Sequence, residues 1–127
     1  MKIAIVTGAS SGMGREFVLQ LAQYVDVDEI WTIARRESAL AELRKQSPIP
    51  VRPLPLDLCS SESFDRFAQI LKEENPDVKL LVNAAGFGKF GTVENVPTEE
   101  DCRMIDLNCK ALVVMTRLVL PYMQKGS

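Results

Sequence analysis

The sequence predicts one α/β domain in which helices cover both faces of a parallel β-sheet, giving three layers. Four short apolar segments alternate with segments of helical periodicity, and this alternation is typical of parallel strands joined by right-handed crossovers. A glycine-rich run directly follows the first apolar segment and opens the first helical one. With 127 residues, the chain is long enough for one such domain with its own core.

Each element follows from the apolar pattern. In chain order, the predicted strands cover residues 2–6, 29–34, 51–56 and 79–83. The predicted helices cover residues 12–24, 38–46, 60–74 and about 104–123. A separate short helical turn is predicted at Thr98, because three acidic residues follow it and acids favour a first helical turn.

The third strand contains Pro53 and Pro55. Proline cannot donate to a ladder, so this strand is expected at an edge and the strand order is predicted as 3-2-1-4. The fourth strand then forms the other edge with no such protection, which invites pairing with another chain. The last helix is apolar on most sides, so we also expect a second burial surface. It would be covered by another copy in a homo-oligomer, by further chain of the same protein, or by both.

Composition excludes several classes of function. The chain is 46% hydrophobic and 25% charged with a net charge of −2, an ordinary soluble balance without a basic run for nucleic acid. No segment approaches the roughly 20 apolar residues of a membrane span, and no signal peptide is expected because a strand pattern starts at once. Three cysteines without metal-ligand spacing and no histidine predict a cytoplasmic protein with reduced thiols and no metal site.

The glycine-rich run reads T-G-A-S-S-G-M-G from Thr7 to Gly14. A strand, a glycine turn and a helix start in this order present backbone N–H groups to a phosphate. Gly8 would allow the sharp turn, Gly12 the approach of a diphosphate, and Gly14 close packing of the helix. The alternative is a helix start that merely requires glycines.

The run resembles the short-chain dehydrogenase/reductase family, and three later segments agree in order. Asp57-Leu58 follows the third strand, Asn83-Ala84-Ala85-Gly86 ends the fourth, and Asn108 lies near the start of the last helix. The resemblance covers essentially all of the chain and implies a Rossmann-type doubly wound sheet. It looks like the N-terminal half of a member, a dinucleotide-binding domain that stops before the family's catalytic Ser and Tyr-x-x-x-Lys. Tyr122 and Lys125 are only three positions apart, so the catalytic roles are not carried over to them.

The end of the second strand bears on the choice of dinucleotide. It lies about 20 residues beyond the glycine turn, where the adenosine ribose is expected. Ala34 is not the acid that would bind the 2′-hydroxyl of NAD, and Arg35 and Arg36 follow it. Arginine suits phosphate geometry, so NADP is predicted over NAD, with Arg35 as the better match to the family's phosphate-binding arginine. The alternative is that both arginines are solvated loop charges.

The resemblance implies further roles. Asp57 would meet the adenine amino group and the next backbone N–H the ring, although Asp57 could instead be an acid ahead of helix caps at Ser60 and Ser61. Asn83 could bind near the cofactor ribose or tie strands together. Asn108 is the only catalytic-set residue present, and acts there through a main-chain group near a helix distortion. The implied cofactor-binding residues are Thr7, Gly8, Ser10, Ser11, Gly12, Met13, Gly14, Arg35, Arg36, Asp57, Leu58, Asn83, Ala84, Ala85 and Gly86.

The resemblance therefore implies an NADP-dependent oxidoreductase that transfers hydride between the nicotinamide and a carbonyl or alcohol. The chain would be its cofactor-binding portion, lacking most catalytic residues and inactive alone. A non-catalytic NADP-binding or assembly module is the alternative. A methyltransferase on a related fold is disfavoured by the N-A-A-G segment and the paired arginines.

Overall fold

The central sheet of the computed structural model, which describes residues 1–127, has four parallel strands in the order β3-β2-β1-β4. In chain order, the strands are β1 Lys2–Thr7, β2 Glu29–Ala34, β3 Val51–Pro55 and β4 Asp77–Asn83. The predicted order is confirmed, and β3 with its two prolines pairs only with β2. An edge position is where the missing N–H groups of proline disturb the ladder least.

Three helices connect the strands. They are α1 Gly12–Gln20, α2 Glu37–Gln46 and α3 Ser61–Glu74. The α-helical part of α1 ends four residues earlier than predicted, and a 3₁₀ turn over Leu21–Gln23 completes it. Ser60 lies at the N-cap of α3, but its side chain makes no capping hydrogen bond, so that part of the cap interpretation is wrong.

The last helix differs most from its prediction. It begins at Thr98, not near 104, because the acidic turn predicted as separate is its first turn. Helix α4, Thr98–Ile105, continues through a π-helical turn, Asp106–Lys110, into α5, Ala111–Val119. A π turn places one extra residue in the helix and shifts the faces on either side of it, and such turns are frequent at functional sites. The sequence-based periodicity could not show that shift.

Two apolar clusters cover the two faces of the sheet. On one face, α1 and α2 contribute Val18, Leu21, Leu40 and Leu43. On the other, α3 contributes Phe64, Phe67 and Leu71, and α5 contributes Ala111, Met115 and Val119. Alternate residues of each strand enter opposite clusters, as the period of two requires. The three-layer prediction is therefore confirmed.

The free edge of β4 is partly covered. Strand β4 starts at Asp77, two residues before the prediction, because Asp77 and Val78 pair with Lys2 and Ile3 ahead of an irregularity at Lys79. After α5 and a 3₁₀ turn over Leu120–Tyr122, Met123 forms an isolated parallel bridge with Val78. No helix is long and apolar enough to cross a membrane.

Replacing Phe67 by alanine should destabilise the fold by about 3–5 kcal/mol, the usual cost of emptying a buried aromatic site. Phe67 is 0% exposed in the cluster beneath α3, whereas Phe90 is fully exposed in the loop after β4 and provides a matched control. Urea unfolding of Phe67→Ala and Phe90→Ala would measure both. A similar cost for the two variants would contradict the placement of α3.

Candidate cofactor site

A cavity of about 500 Å³ opens at the carboxyl ends of the strands. Ligands bind in this crevice in open α/β sheets. The glycine turn, the ends of β2, β3 and β4, and the π turn contribute to its wall. The cavity brings together twelve of the sequence-predicted residues, namely Gly8, Ser10, Ser11, Gly12, Met13, Arg35, Arg36, Asp57, Leu58, Ala84, Ala85 and Gly86.

The glycine turn is held by close backbone approaches at two positions. Gly8 has φ of +64°, and a Cβ there would lie 2.6 Å from the carbonyl oxygen of Ala84. A Cβ on Gly14 would collide with the carbonyl oxygen of Gly8. Gly14 therefore lets α1 close onto the turn itself, a more local reason than the predicted packing on the sheet. Beside Gly12 there is open space, as expected if a ligand lies there.

Thr7 fastens the turn to the end of β4 and does not line the cavity. Its hydroxyl oxygen accepts hydrogen bonds of 3.1 Å from the backbone N–H groups of Ala84 and Ala85. The hydroxyl in turn donates to the carbonyl oxygen of Val82 at 3.5 Å. Thr7 is buried, so these bonds also satisfy a polar group that has left water.

Asn83 also lies outside the cavity lining. Its Nδ2 donates to Oγ1 of Thr116 at 3.1 Å, and that hydroxyl donates to the carbonyl oxygen of Leu112 at 2.7 Å. The amide therefore connects β4 to α5. The sequence analysis had offered a structural role for Asn83 as one alternative, but between strands and not between a strand and a helix. Its neighbours Ala84 to Gly86 form the cavity wall.

Asn108 lies in the π turn and clamps the backbone of Phe87. Its Oδ1 accepts from Phe87 N–H at 2.9 Å, and its Nδ2 donates to the Phe87 carbonyl oxygen at 2.8 Å. A Cβ on Gly86 would lie 2.9 Å from Oδ1 of Asn108, so glycine is needed for the approach. The predicted helix distortion at Asn108 is confirmed, and its side chain fixes the segment that ends the cavity.

The two arginines after β2 are exposed at the cavity and form no ion pair within 4.0 Å and no side-chain hydrogen bond. Four other cations of the chain form ion pairs, for example Lys79 with Asp77 at 2.8 Å. The guanidinium groups are therefore free to meet an anion at the end of β2.

Asp57 and Cys59 form the wall beyond β3. Oδ1 of Asp57 accepts a 3.0 Å hydrogen bond from Cys59 N–H, which shapes the turn before α3. Burial raises the pKa of the Cys59 thiol above its usual value; Arg103 and Arg35 oppose this shift, and Asp57 and Asp106 add to it. The thiol is therefore largely protonated near neutral pH.

Six lining residues lie outside the predicted cofactor-binding set. They are Ile33, Ala34, Leu56, Cys59, Phe87 and Leu107, of which Ala34 was already placed near the adenosine ribose. Ile33 and Leu56 could have been found, since they lie at the carboxyl ends of predicted strands. Phe87 and Leu107 reach the cavity through the Asn108 clamp and the π turn. The family resemblance implied a helix distortion at Asn108, but no local pattern shows which side chains it brings to the cavity.

Comparisons with known proteins agree with this site. A sequence profile described as short chain dehydrogenase matches residues 2–127. An NADP-dependent 3-hydroxy acid dehydrogenase of Schizosaccharomyces pombe is 33% identical over 126 residues, covering 94% of this chain and 48% of that protein.

Two solved structures give the same result. A short-chain dehydrogenase from Sphingobium yanoikuyae in complex with NADPH has 28% identity and a TM-score of 0.80, covering 95% of this chain and 48% of that one. A metagenomic short-chain oxidoreductase in complex with NADP has 26% identity and a TM-score of 0.83, covering 95% and 56%.

The chain belongs to the short-chain dehydrogenase family. The site agrees with this assignment, since it combines a glycine turn, an N-A-A-G segment at the end of β4 and an asparagine in a distorted helix. The chain spans about half the length of the curated relatives it matches. Tyr122 and Lys125 follow α5, beside the Met123 bridge to Val78 near the start of β4. That end of the sheet is opposite the cavity, which agrees with not assigning catalytic roles to Tyr122 and Lys125.

The three thiols should react with iodoacetamide at different rates. Cys102 and Cys109 are exposed, whereas Cys59 is half-buried with a raised pKa. Only the thiolate reacts, so at pH 7.5 we expect Cys59 to be alkylated at least about threefold more slowly and to accelerate as pH rises further. Peptide mass spectrometry over time would measure each rate. Equal rates at all three positions would contradict the described environment of Cys59.

Proposed function

We propose that this chain binds NADP in the cavity and is the cofactor-binding portion of a short-chain oxidoreductase. The observation that carries the proposal is that one cavity contains two anion-binding features. These are the glycine turn at the start of α1 and two arginines that form no ion pair. The relative and neighbours named for NADP or NADPH support the same cofactor.

The diphosphate would be held by the turn from Ser10 to Met13. These residues line the cavity at the N-terminal end of α1, where unpaired backbone N–H groups favour an anion. Ser11 is the N-cap, but its side chain makes no capping bond, so its hydroxyl remains available to a ligand. The open space beside Gly12 supports this assignment.

The 2′-phosphate would be bound by Arg35, with Arg36 as its neighbour. Both line the cavity directly after Ala34, and neither forms an ion pair with a carboxylate of the chain. Charge-assisted hydrogen bonds from arginine to phosphate are among the strongest available in proteins.

The two ends of the cofactor would meet different walls. Asp57 uses Oδ1 for Cys59 N–H, and Oδ2 makes no hydrogen bond within the protein, so it could accept from the adenine amino group beside Leu58. Ala84 to Gly86 would lie beneath the nicotinamide ribose. Asn108 would act as a positioning residue, since it fixes the backbone of Phe87 at that end.

When bound, the cofactor supplies hydride transfer to or from a carbonyl or alcohol carbon. The residues of this chain would bind and orient it and shield one side of it. The proton donor of the reaction would come from outside these 127 residues, because no tyrosine or lysine lines the cavity. A non-catalytic NADP-binding or assembly module is the second proposal.

Arg35→Ala should weaken NADP binding by about 1–3 kcal/mol and leave NAD binding nearly unchanged, because only NADP carries the 2′-phosphate. Calorimetric titration of both cofactors would measure the difference. Arg66→Ala is the matched control, since Arg66 is an exposed arginine of α3 away from the cavity lining. Equal losses for NADP and NAD would argue against Arg35 as the phosphate ligand.

The 127-residue chain alone should oxidise NADPH no faster with a panel of aldehydes and ketones than without them. A positioned general acid typically contributes 10²–10⁴-fold, and neither a tyrosine nor a lysine lies in the cavity to serve as one. Absorbance at the NADPH band would follow the reaction. Carbonyl-dependent turnover that tracks the chain through purification would refute this expectation.

A further inference from the structure

A second side-chain link, besides that of Asn108, joins the end of β4 to the last helix. Nδ2 of Asn83 donates to Oγ1 of Thr116 at 3.1 Å, and the two residues are 33 positions apart in the sequence. The Thr116 hydroxyl donates its own proton to the carbonyl oxygen of Leu112, one turn earlier in α5, at 2.7 Å. A hydroxyl has one proton and two lone pairs. Because its proton is committed to Leu112, Thr116 meets Asn83 as an acceptor in a fixed orientation.

The residues that follow Asn83, 84–86, form the wall segment at the end of β4, and all three line the cavity. The glycine turn holds one side of this wall segment. The Thr7 hydroxyl accepts from its first two N–H groups, and the backbone of Gly8 lies against its first carbonyl group. These contacts fix the distance from the wall segment to β1, but they do not fix its distance from α5.

The space between the wall segment and α5 is not filled by packing. A cavity of about 10 Å³ lies there, and its lining includes Asn83 and Ala85 on one side and Ala111 and Leu112 on the other. Atoms that face a void have no partner on that side to restrain them. Asn83 and Leu112, which are the two residues bonded to the Thr116 hydroxyl, both border this void. Their link through Thr116 therefore sets the distance between the start of the wall segment and the helix.

We propose that Thr116 is a positioning residue for the nicotinamide half of the bound cofactor. This inference rests on the proposed NADP function. Thr116 does not line the cavity and acts through Asn83, which carries the wall segment that would lie beneath the nicotinamide ribose. The effect of Thr116 is therefore confined to ligands that reach this wall segment, whereas Arg35 acts on the 2′-phosphate at the other end.

The test is calorimetric titration with NADP and with 2′,5′-ADP, which keeps the phosphorylated adenosine and lacks the nicotinamide half. Thr116→Val keeps the shape of the side chain and removes the hydroxyl. We expect its affinity for NADP to fall by about twofold to tenfold, the scale of one net hydrogen bond, and its affinity for 2′,5′-ADP to stay unchanged. Thr98→Val is the matched control and should bind both ligands like the wild type, since Thr98 is an exposed threonine of α4 outside the cavity lining.

Three further variants test whether the bond itself is responsible. Thr116→Ser keeps the hydroxyl but not the methyl group, so it should restore the NADP affinity of the wild type, which an effect of packing would not do. Asn83→Ala removes the donor and should show the same NADP-selective loss. The double variant Asn83→Ala/Thr116→Val should lose no more than the larger of the two single losses, because one bond can be lost only once.

The outcomes separate this inference from the function on which it rests. Failure of the wild-type chain to bind either ligand would refute the proposed function. With normal wild-type binding, the role of Thr116 is overturned by an unchanged NADP affinity in Thr116→Val, by an equal loss for both ligands, by no recovery in Thr116→Ser, or by additive losses in the double variant. If circular dichroism shows that Thr116→Val does not fold, Asn83→Ala decides: an NADP-selective loss supports the role, and unchanged or equally reduced affinities overturn it.

Discussion

The junction between the ends of β1 and β4 is the constraint on which the site depends. Gly8 passes so close to Ala84 that a Cβ has no room, and the Thr7 hydroxyl bonds to three backbone groups of the β4 end. The glycine turn and the N-A-A-G segment are thereby held as one surface. Because neither strand end can move without breaking these contacts, two walls of the cavity are fixed before any ligand enters.

A second junction fixes the remaining wall through the helix after β4. The π turn presents Asn108 to both backbone groups of Phe87, and places Leu107 in the cavity lining. An amide side chain carries both a donor and an acceptor, so Asn108 satisfies both backbone groups of Phe87 at once. Thus a helix that packs on the sheet through Ala111, Met115 and Val119 also sets the shape of the cofactor site.

Periodicity and proline placement were sufficient to predict the strand order and the layers, because they depend on local pattern and on simple rules of pairing. The ends of elements were less predictable. Thr98 was assigned to a separate turn, since no pattern reveals that a π turn joins two helices. Within the site, the glycine run and the arginines carry their own signals. Cys59 and Phe87 do not, because their positions depend on contacts between distant segments.

All residues proposed to bind the cofactor lie between the end of β1 and the helix that follows β4, although relatives are about twice as long. The reason is topological: the carboxyl ends of β1 to β4 meet at one crevice, so a contiguous half of the sequence can encode it. The surfaces away from the crevice are less complete. Met123 pairs only with Val78, so the rest of the outer edge of β4 is open. On one side of the last helix, Leu112, Val113 and Leu120 are exposed. Self-association through these surfaces remains a prediction, and it is independent of the cavity, because the apolar residues that would drive it are not among those that line the cofactor site.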